Sequence, residues 1–303
     1  MLSSSRPWPI VSLLIAAVAG IGGWALGRAD SGGLTEAPVT APVTAQVVTP
    51  PPEGPWPLRA PSMAEVPEGP LGDSIREGYA LVADTNRRLP ENVGAGMRCT
   101  SCHLNGGTVA NAGPWVGLTG VFPEHRDRDG RVITIESRIN DCFERSLNGK
   151  PLDPTGPEMA AIVAYMTWLS QDVPVGVPVE GRGFRRPNPL PEINADPARG
   201  EAVYGQRCVS CHGPTGAGVG GADGVVVYPP LWGPSSFNIG AGMARLDTAA
   251  AFVRWNMPLG QGGSLTEQEA YDVAAYFTQQ ERPDFARKMN DWPAGNKPRD
   301  ARY

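Results

Sequence analysis

Four of the five cysteines fall into two copies of one pattern, Cys99-Thr-Ser-Cys102-His103 and Cys208-Val-Ser-Cys211-His212. Two thiols one helical turn apart reach the two vinyl groups of one porphyrin as thioethers. The histidine that follows lies under the ring and ligates iron from the proximal side. A Cys-x-x-Cys pair also serves thiol–disulfide exchange, or forms half of a four-cysteine zinc site. Neither use requires a histidine directly after both pairs, no βαβ pattern surrounds either copy, and zinc knuckles seldom sit on a helix with such flanks. The chemistry these residues point to is that of two covalently bound haem c groups.

The fifth cysteine, Cys142, has no thiol left to pair with inside the chain. Such a residue is reactive, paired with another molecule, or buried and inert. Its surroundings favour the first. Residues 134–149 read as a helix with Thr134 as N-cap and Gly149 as C-cap. Arg138, Cys142 and Ser146 then share one face at i, i+4 and i+8. A core face would not combine a guanidinium, a thiol and a hydroxyl; a haem-edge site for an anion would. The neighbouring arginine also favours thiolate, which is both nucleophile and metal ligand.

The sixth ligand decides what a haem does. In the second half of the chain Met257-Pro258 stands just before the last helical stretch, where ordinary cytochromes c place a distal methionine. Met257 is the distal-ligand candidate there, core packing being the other use of such a residue. The first half has no methionine between His103 and its last helix, and Met159 and Met166 on that helix read as core.

The elements that must position these groups repeat. Helical patterns precede each attachment motif, at 73–82 and 196–204, and follow each, at 157–168 and 266–277. Thr266 and Glu269 form a capping-box pattern. His103 and Tyr165 are 62 residues apart, His212 and Tyr276 64. The arrangement is mainly α and resembles two tandem class I cytochrome c domains over residues 71–285. The first domain takes 71–172 and the second 193–285, with a Pro- and Gly-rich linker at 173–192 and a polar, peripheral tail at 286–303.

Composition adds limits. The 303 residues carry 26 basic and 31 acidic side chains, a net charge of −5, which argues against nucleic acid as partner. Arg6 precedes an uncharged stretch, 7–27, ending near Ala25-Leu26-Gly27. Residues 1–30 therefore read as a signal peptide or a signal anchor. Ten prolines between 31 and 70 read as a tether. The expected location is periplasmic, either soluble after cleavage or tethered to the inner membrane.

Three segments carry a more specific likeness: Pro114-Trp-Val-Gly-Leu118, Val121-Phe-Pro-Glu124, and Arg138-Ile-Asn-Asp-Cys142-Phe-Glu-Arg-Ser146-Leu-Asn-Gly149-Lys-Pro151. Together with the paired motifs they resemble the dihaem thiosulfate dehydrogenases. The resemblance implies His103 and Cys142 as axial ligands of a catalytic haem, with Cys142 also bonding the substrate's sulfur. It implies Arg128, Arg138 and Ser146 as anion contacts, and His212 and Met257 as ligands of an electron-transfer haem. The implied reaction joins two thiosulfates as tetrathionate, reversibly where potentials allow. Its electrons pass to an external acceptor such as another cytochrome c. Some members carry lysine before the distal methionine; here the residue is Asn256, so ligand exchange is not carried over. Sulfur-oxidation cytochromes that carry sulfur on a haem-ligating cysteine match less well in spacing and second domain.

Only the resemblance singles out Arg128, which with Arg126 otherwise reads as surface charge. His125, the one histidine outside the motifs, reads as solvated. The glycines of 213–221 read as a loop wrapping haem, not as a phosphate cradle. A plain dihaem electron carrier would need methionine on both irons, and a dihaem peroxidase would need an open, high-spin haem; paramagnetic resonance separates the three.

Overall fold

The structure, a computed structural model, describes residues 54–188, 190–221 and 225–303. The expected signal or anchor segment and residues 31–53 of the proline-rich stretch lie outside them. Among the described residues no helix is long and apolar enough to cross a membrane.

Six helices of eleven residues or more dominate the described residues: α1 (Pro70–Ala83), α2 (Ile135–Arg145), α3 (Pro157–Leu169), α4 (Pro197–Arg207), α5 (Leu246–Asn256) and α6 (Glu267–Gln279). Proline opens α1, α3 and α4, where its missing N–H costs nothing. Thr266 caps α6 in the expected reciprocal box with Glu269. Two small antiparallel ribbons complete the described elements: β1 (Glu124–Arg126) with β2 (Arg131–Ile133), and β3 (Val219–Gly220) with β4 (Val226–Tyr228).

The two halves are built alike, each with its first and last long helices packed together. α1 crosses α3 where a Cβ on Gly78 would stand 2.0 Å from the Ala161 carbonyl oxygen. α4 crosses α6 at Gly200, where a Cβ would be 2.0 Å from the Asp272 oxygen. Only glycine permits so close an approach of two backbones. Beside each crossing sits an aromatic cluster: Tyr79, Trp115 and Tyr165 in the first half, Tyr204, Trp232 and Tyr276 in the second. Buried tyrosine hydroxyls donate to loop carbonyls next to each attachment motif, Tyr165 to Gly106 and Tyr204 to Gly213.

Several segments depart from the sequence reading. The charged segment 124–130 forms strand β1 and the turn that leads into β2, and Arg126 is not a free surface charge but pairs with Asp141 at 2.5 Å. His125 is exposed, as expected. At the end of α2 the left-handed residue is Asn148, not Gly149; the Gly149 N–H donates to Phe143, and Ser146 holds the cap position. The segment 173–192 packs back on the first half: Gly181 and Gly183 carbonyls accept from Asn111 and Gly113, and Val179 is buried. The tail is not peripheral. Trp292 is buried, its N–H donates to Arg128, and Asp300 pairs with Arg245. Polar composition misled because the polar groups are spent on buried ion pairs rather than on water.

Candidate functional site

α2 places the first set of groups. Ile135, Ile139, Phe143 and Leu147 recur every fourth residue and bury against the core. Arg138, Cys142 and Ser146 run beside them, one position earlier in each turn. Thr134 caps the helix by accepting from the Ser137 N–H, as its type and position predict. The Arg138 Nη1 donates to Cys142 Sγ at 3.0 Å. No carboxylate of the described residues forms an ion pair with Arg138, so its charge is directed at the sulfur.

Burial acts to raise the Cys142 thiol pKa, but the Arg138 charge and a hydrogen bond from His103 outweigh it and bring the group down to about 7. The attachment thiols behave in the opposite way. Cys99 and Cys102 are pushed up to about 12, first by burial and also by the charge of Cys142. One place in the fold thus collects three sulfurs and an imidazole, and only one of those sulfurs is supported as a thiolate. The His103 Nδ1 lies 2.6 Å from the Gly113 carbonyl oxygen, which turns Nε2 toward Cys142. Trp115 and Phe184 flank the ring.

The second set matches in part. His212 Nδ1 is 2.9 Å from the Pro229 carbonyl oxygen; burial lowers its pKa, which favours the neutral, ligating imidazole. Burial raises Cys208 to about 11. Met257 follows α5 directly, half-buried against the core of the second half. Asn256 before it is buried and spends its amide on the carbonyl oxygens of Asn111 and Phe252, each at 3.1 Å.

These residues fit covalently held haem. In each half an attachment pair precedes an imidazole whose far nitrogen is already fixed by a backbone carbonyl. Orphaned donors add to the fit: Arg282 Nε and Nη1 and Arg254 Nη1 are buried with no partner among the described residues. Buried guanidinium donors seldom go unpaired, and the carboxylates that a haem carries are suitable partners.

Arg128 is placed by residues far away in sequence. It donates to the Gly240 carbonyl at 2.8 Å, faces the Trp292 ring at 4.6 Å and pairs with Asp291 at 3.5 Å. Burial, then repulsion from Arg145, lowers its pKa to about 10. Arg145, on α2, makes two 2.8 Å bonds to Asp291 and a further contact with Asp141. Arg128, Arg138 and Ser146 all line one cavity of about 320 Å³, together with Arg145, Arg186 and Arg245. Sequence reasoning missed Arg145, Arg186, Arg245 and Asp291. The spacing of Arg145 three residues after Cys142 was a signal, but nothing local marked the others.

Two attachment motifs, two matching helical shells and a thiol opposite one imidazole define a dihaem cytochrome c with one unusual site. Curated thiosulfate dehydrogenases of Psychrobacter arcticus and Allochromatium vinosum are each 48% identical to it, over 81% of this chain and 74% of the relative in the first case and 77% and 87% in the second. The chain belongs to the thiosulfate dehydrogenase family.

Residues 91–175 match the family profile described as SoxA/TsdA, cytochrome c domain, and 195–277 match that described as cytochrome C oxidase, cbb3-type, subunit III. The solved thiosulfate dehydrogenase (TsdBA) of Marichromatium purpuratum superposes with a TM-score of 0.71 at 42% identity over 74% of this chain. The match spans about half, 49%, of that longer chain. The protein is therefore an oxidoreductase of two tandem cytochrome c domains with two covalently bound haem c groups.

Proposed function

We propose that the protein oxidises two thiosulfates to tetrathionate, with Cys142 as covalent carrier. The observation that carries this reading is the 3.0 Å contact from the Arg138 guanidinium to the Cys142 Sγ, on a helix face that Ser146 shares and beside the attachment histidine His103. That is the local chemistry of a nucleophile rather than of a core cysteine.

Cys99, Cys102, His103 and Cys142 would hold the first haem, and Cys208, Cys211, His212 and Met257 the second. Each haem, when bound, would supply a one-electron acceptor for the electrons that leave the sulfur. Arg138, Arg128 and Ser146 bind and orient the thiosulfate dianion. The Cys142 thiolate bonds the sulfane sulfur, giving Cys142 Sγ–S–SO₃⁻, and two electrons leave as that bond forms. A second thiosulfate attacks the sulfur attached to Cys142 Sγ, releases tetrathionate and restores the thiolate with no further change of oxidation state. The electrons go on to an external acceptor such as another cytochrome c.

The proposed domain limits are 71–172 and 193–285. Residues 1–30 act as signal or anchor, which puts the protein in the periplasm. The test is steady-state turnover of thiosulfate with ferricyanide. Cys142→Ser should abolish it while both haems remain attached; full turnover in that variant refutes the carrier role.

A further inference from the structure

The reaction just proposed has to bring a second dianion to a carrier that is already anionic. In that reading the sulfonate of the Cys142 adduct takes the contacts already assigned to the first thiosulfate, Arg138, Arg128 and Ser146. A further positive charge that is not already neutralised must therefore receive the incoming thiosulfate.

The cavity that Arg138 and Ser146 line offers several guanidiniums, and most are committed. Arg126 pairs with Asp141 and Asp129, and Arg145 with Asp291 and Asp141. Arg245 pairs with Asp300 at 3.0 Å, and Arg128 is held by Asp291, Gly240 and Trp292. Arg186 differs from all of these. It lines the same cavity, it is exposed, and its side chain has no hydrogen bond or ion pair among the described residues.

Its backbone, in contrast, stands on fixed ground. The Arg186 N–H donates to Phe184 at 2.7 Å, and Gly183 accepts from Gly113, the residue whose carbonyl fixes His103. Phe184 packs edge-on against Phe252 at 5.8 Å, and Arg185 lies over Trp255 at 4.4 Å. A free cation at the end of an anchored segment is suited to capturing an anion at a cavity mouth.

We propose that Arg186 is the outer anion contact of a second thiosulfate subsite, a positioning residue that delivers the attacking dianion to the Cys142 adduct and holds the far sulfonate of tetrathionate as it leaves. The inference rests on the covalent reading above and adds a location for the second substrate.

The test separates the two half-reactions in the haem-loaded protein. Oxidised protein is mixed with one equivalent of thiosulfate and its adduct measured by intact mass; a thiosulfate series then chases the adduct and tetrathionate is timed. In Arg186→Gln the adduct should form as in wild type, while the second-order rate of its displacement falls about tenfold and loses most of its dependence on ionic strength. Arg186→Lys should recover most of that rate. Displacement at the wild-type rate in Arg186→Gln, or equal loss in both half-reactions, overturns the subsite. Absence of any adduct in wild type overturns the covalent carrier itself, a distinct result.

Discussion

Replacing Asp291 with alanine removes the carboxylate that two buried arginines share. Arg145 meets it through two 2.8 Å bonds, and the Asp291 side chain is only 4% exposed. Arg128 loses its ion pair at 3.5 Å in the same step. Asp141 remains to Arg145, so one guanidinium keeps a partner and the other keeps only a carbonyl and a ring. Removing one member of a buried pair costs about 3–5 kcal/mol, because the charge left behind has neither water nor counter-ion. Trp292 next to it contributes about 3 kcal/mol of apolar burial on the same segment. Detaching 286–303 from the fold therefore becomes the cheaper response, and it caps the global loss. The expected outcome for Asp291→Ala is a drop of about 3 kcal/mol in denaturant-induced unfolding of the haem-loaded protein, with rapid proteolysis inside 286–303. The Michaelis constant for thiosulfate should rise, since Arg128 is no longer held at the cavity. The double change Arg145→Met with Asp291→Leu should regain part of the stability, because Arg145 no longer repels Arg128, which alone is then left without its carboxylate. A loss below about 1 kcal/mol, with a tail no more cleavable than wild type, would refute the docking argument.

Arg138→Gln should lower kcat/KM for thiosulfate by about a hundredfold or more, since a charge-assisted contact to the reacting sulfur is lost; Arg138→Lys should recover only part, having charge without the planar fork. Met257→Ala should shift the midpoint potential of one haem downward and leave the other unchanged, as read by spectroelectrochemical titration. Gly78→Ala should destabilise the first domain by about 2 kcal/mol, because a Cβ would stand 2.0 Å from the Ala161 oxygen; an unchanged melting temperature contradicts the crossing. The Asp272 carboxyl is buried, which raises its pKa, yet hydrogen bonds from Arg199, the Asp196 N–H and Gln268 outweigh this and lower it. Stability from this group is thus present above the ordinary carboxylate range and lost as pH falls through the depressed value. Asp272→Asn should flatten the acid limb of the stability profile, measured by denaturant midpoints from neutral pH down to about 2.

Much of this protein is written in short stretches of chain. Haem attachment needs five consecutive residues, so Cys99–His103 and Cys208–His212 declare it without any fold. The long helices follow from apolar spacing and from proline and threonine at their starts, which are properties of a dozen neighbours. The one-face arrangement of Arg138, Cys142 and Ser146 is also local, since the helix alone sets it. Tertiary structure decided which charges remain available to an anion. Arg145 is taken by a carboxylate 146 positions away, Arg128 is held at the cavity by a carbonyl 112 positions away, and the Arg186 side chain has no hydrogen bond or ion pair among the described residues. Those pairings depend on how the two halves and the tail meet. An arginine's partner in a buried site is chosen by packing and desolvation rather than by its neighbours in the chain, so the sequence could single out Cys142 but not the cations left beside it.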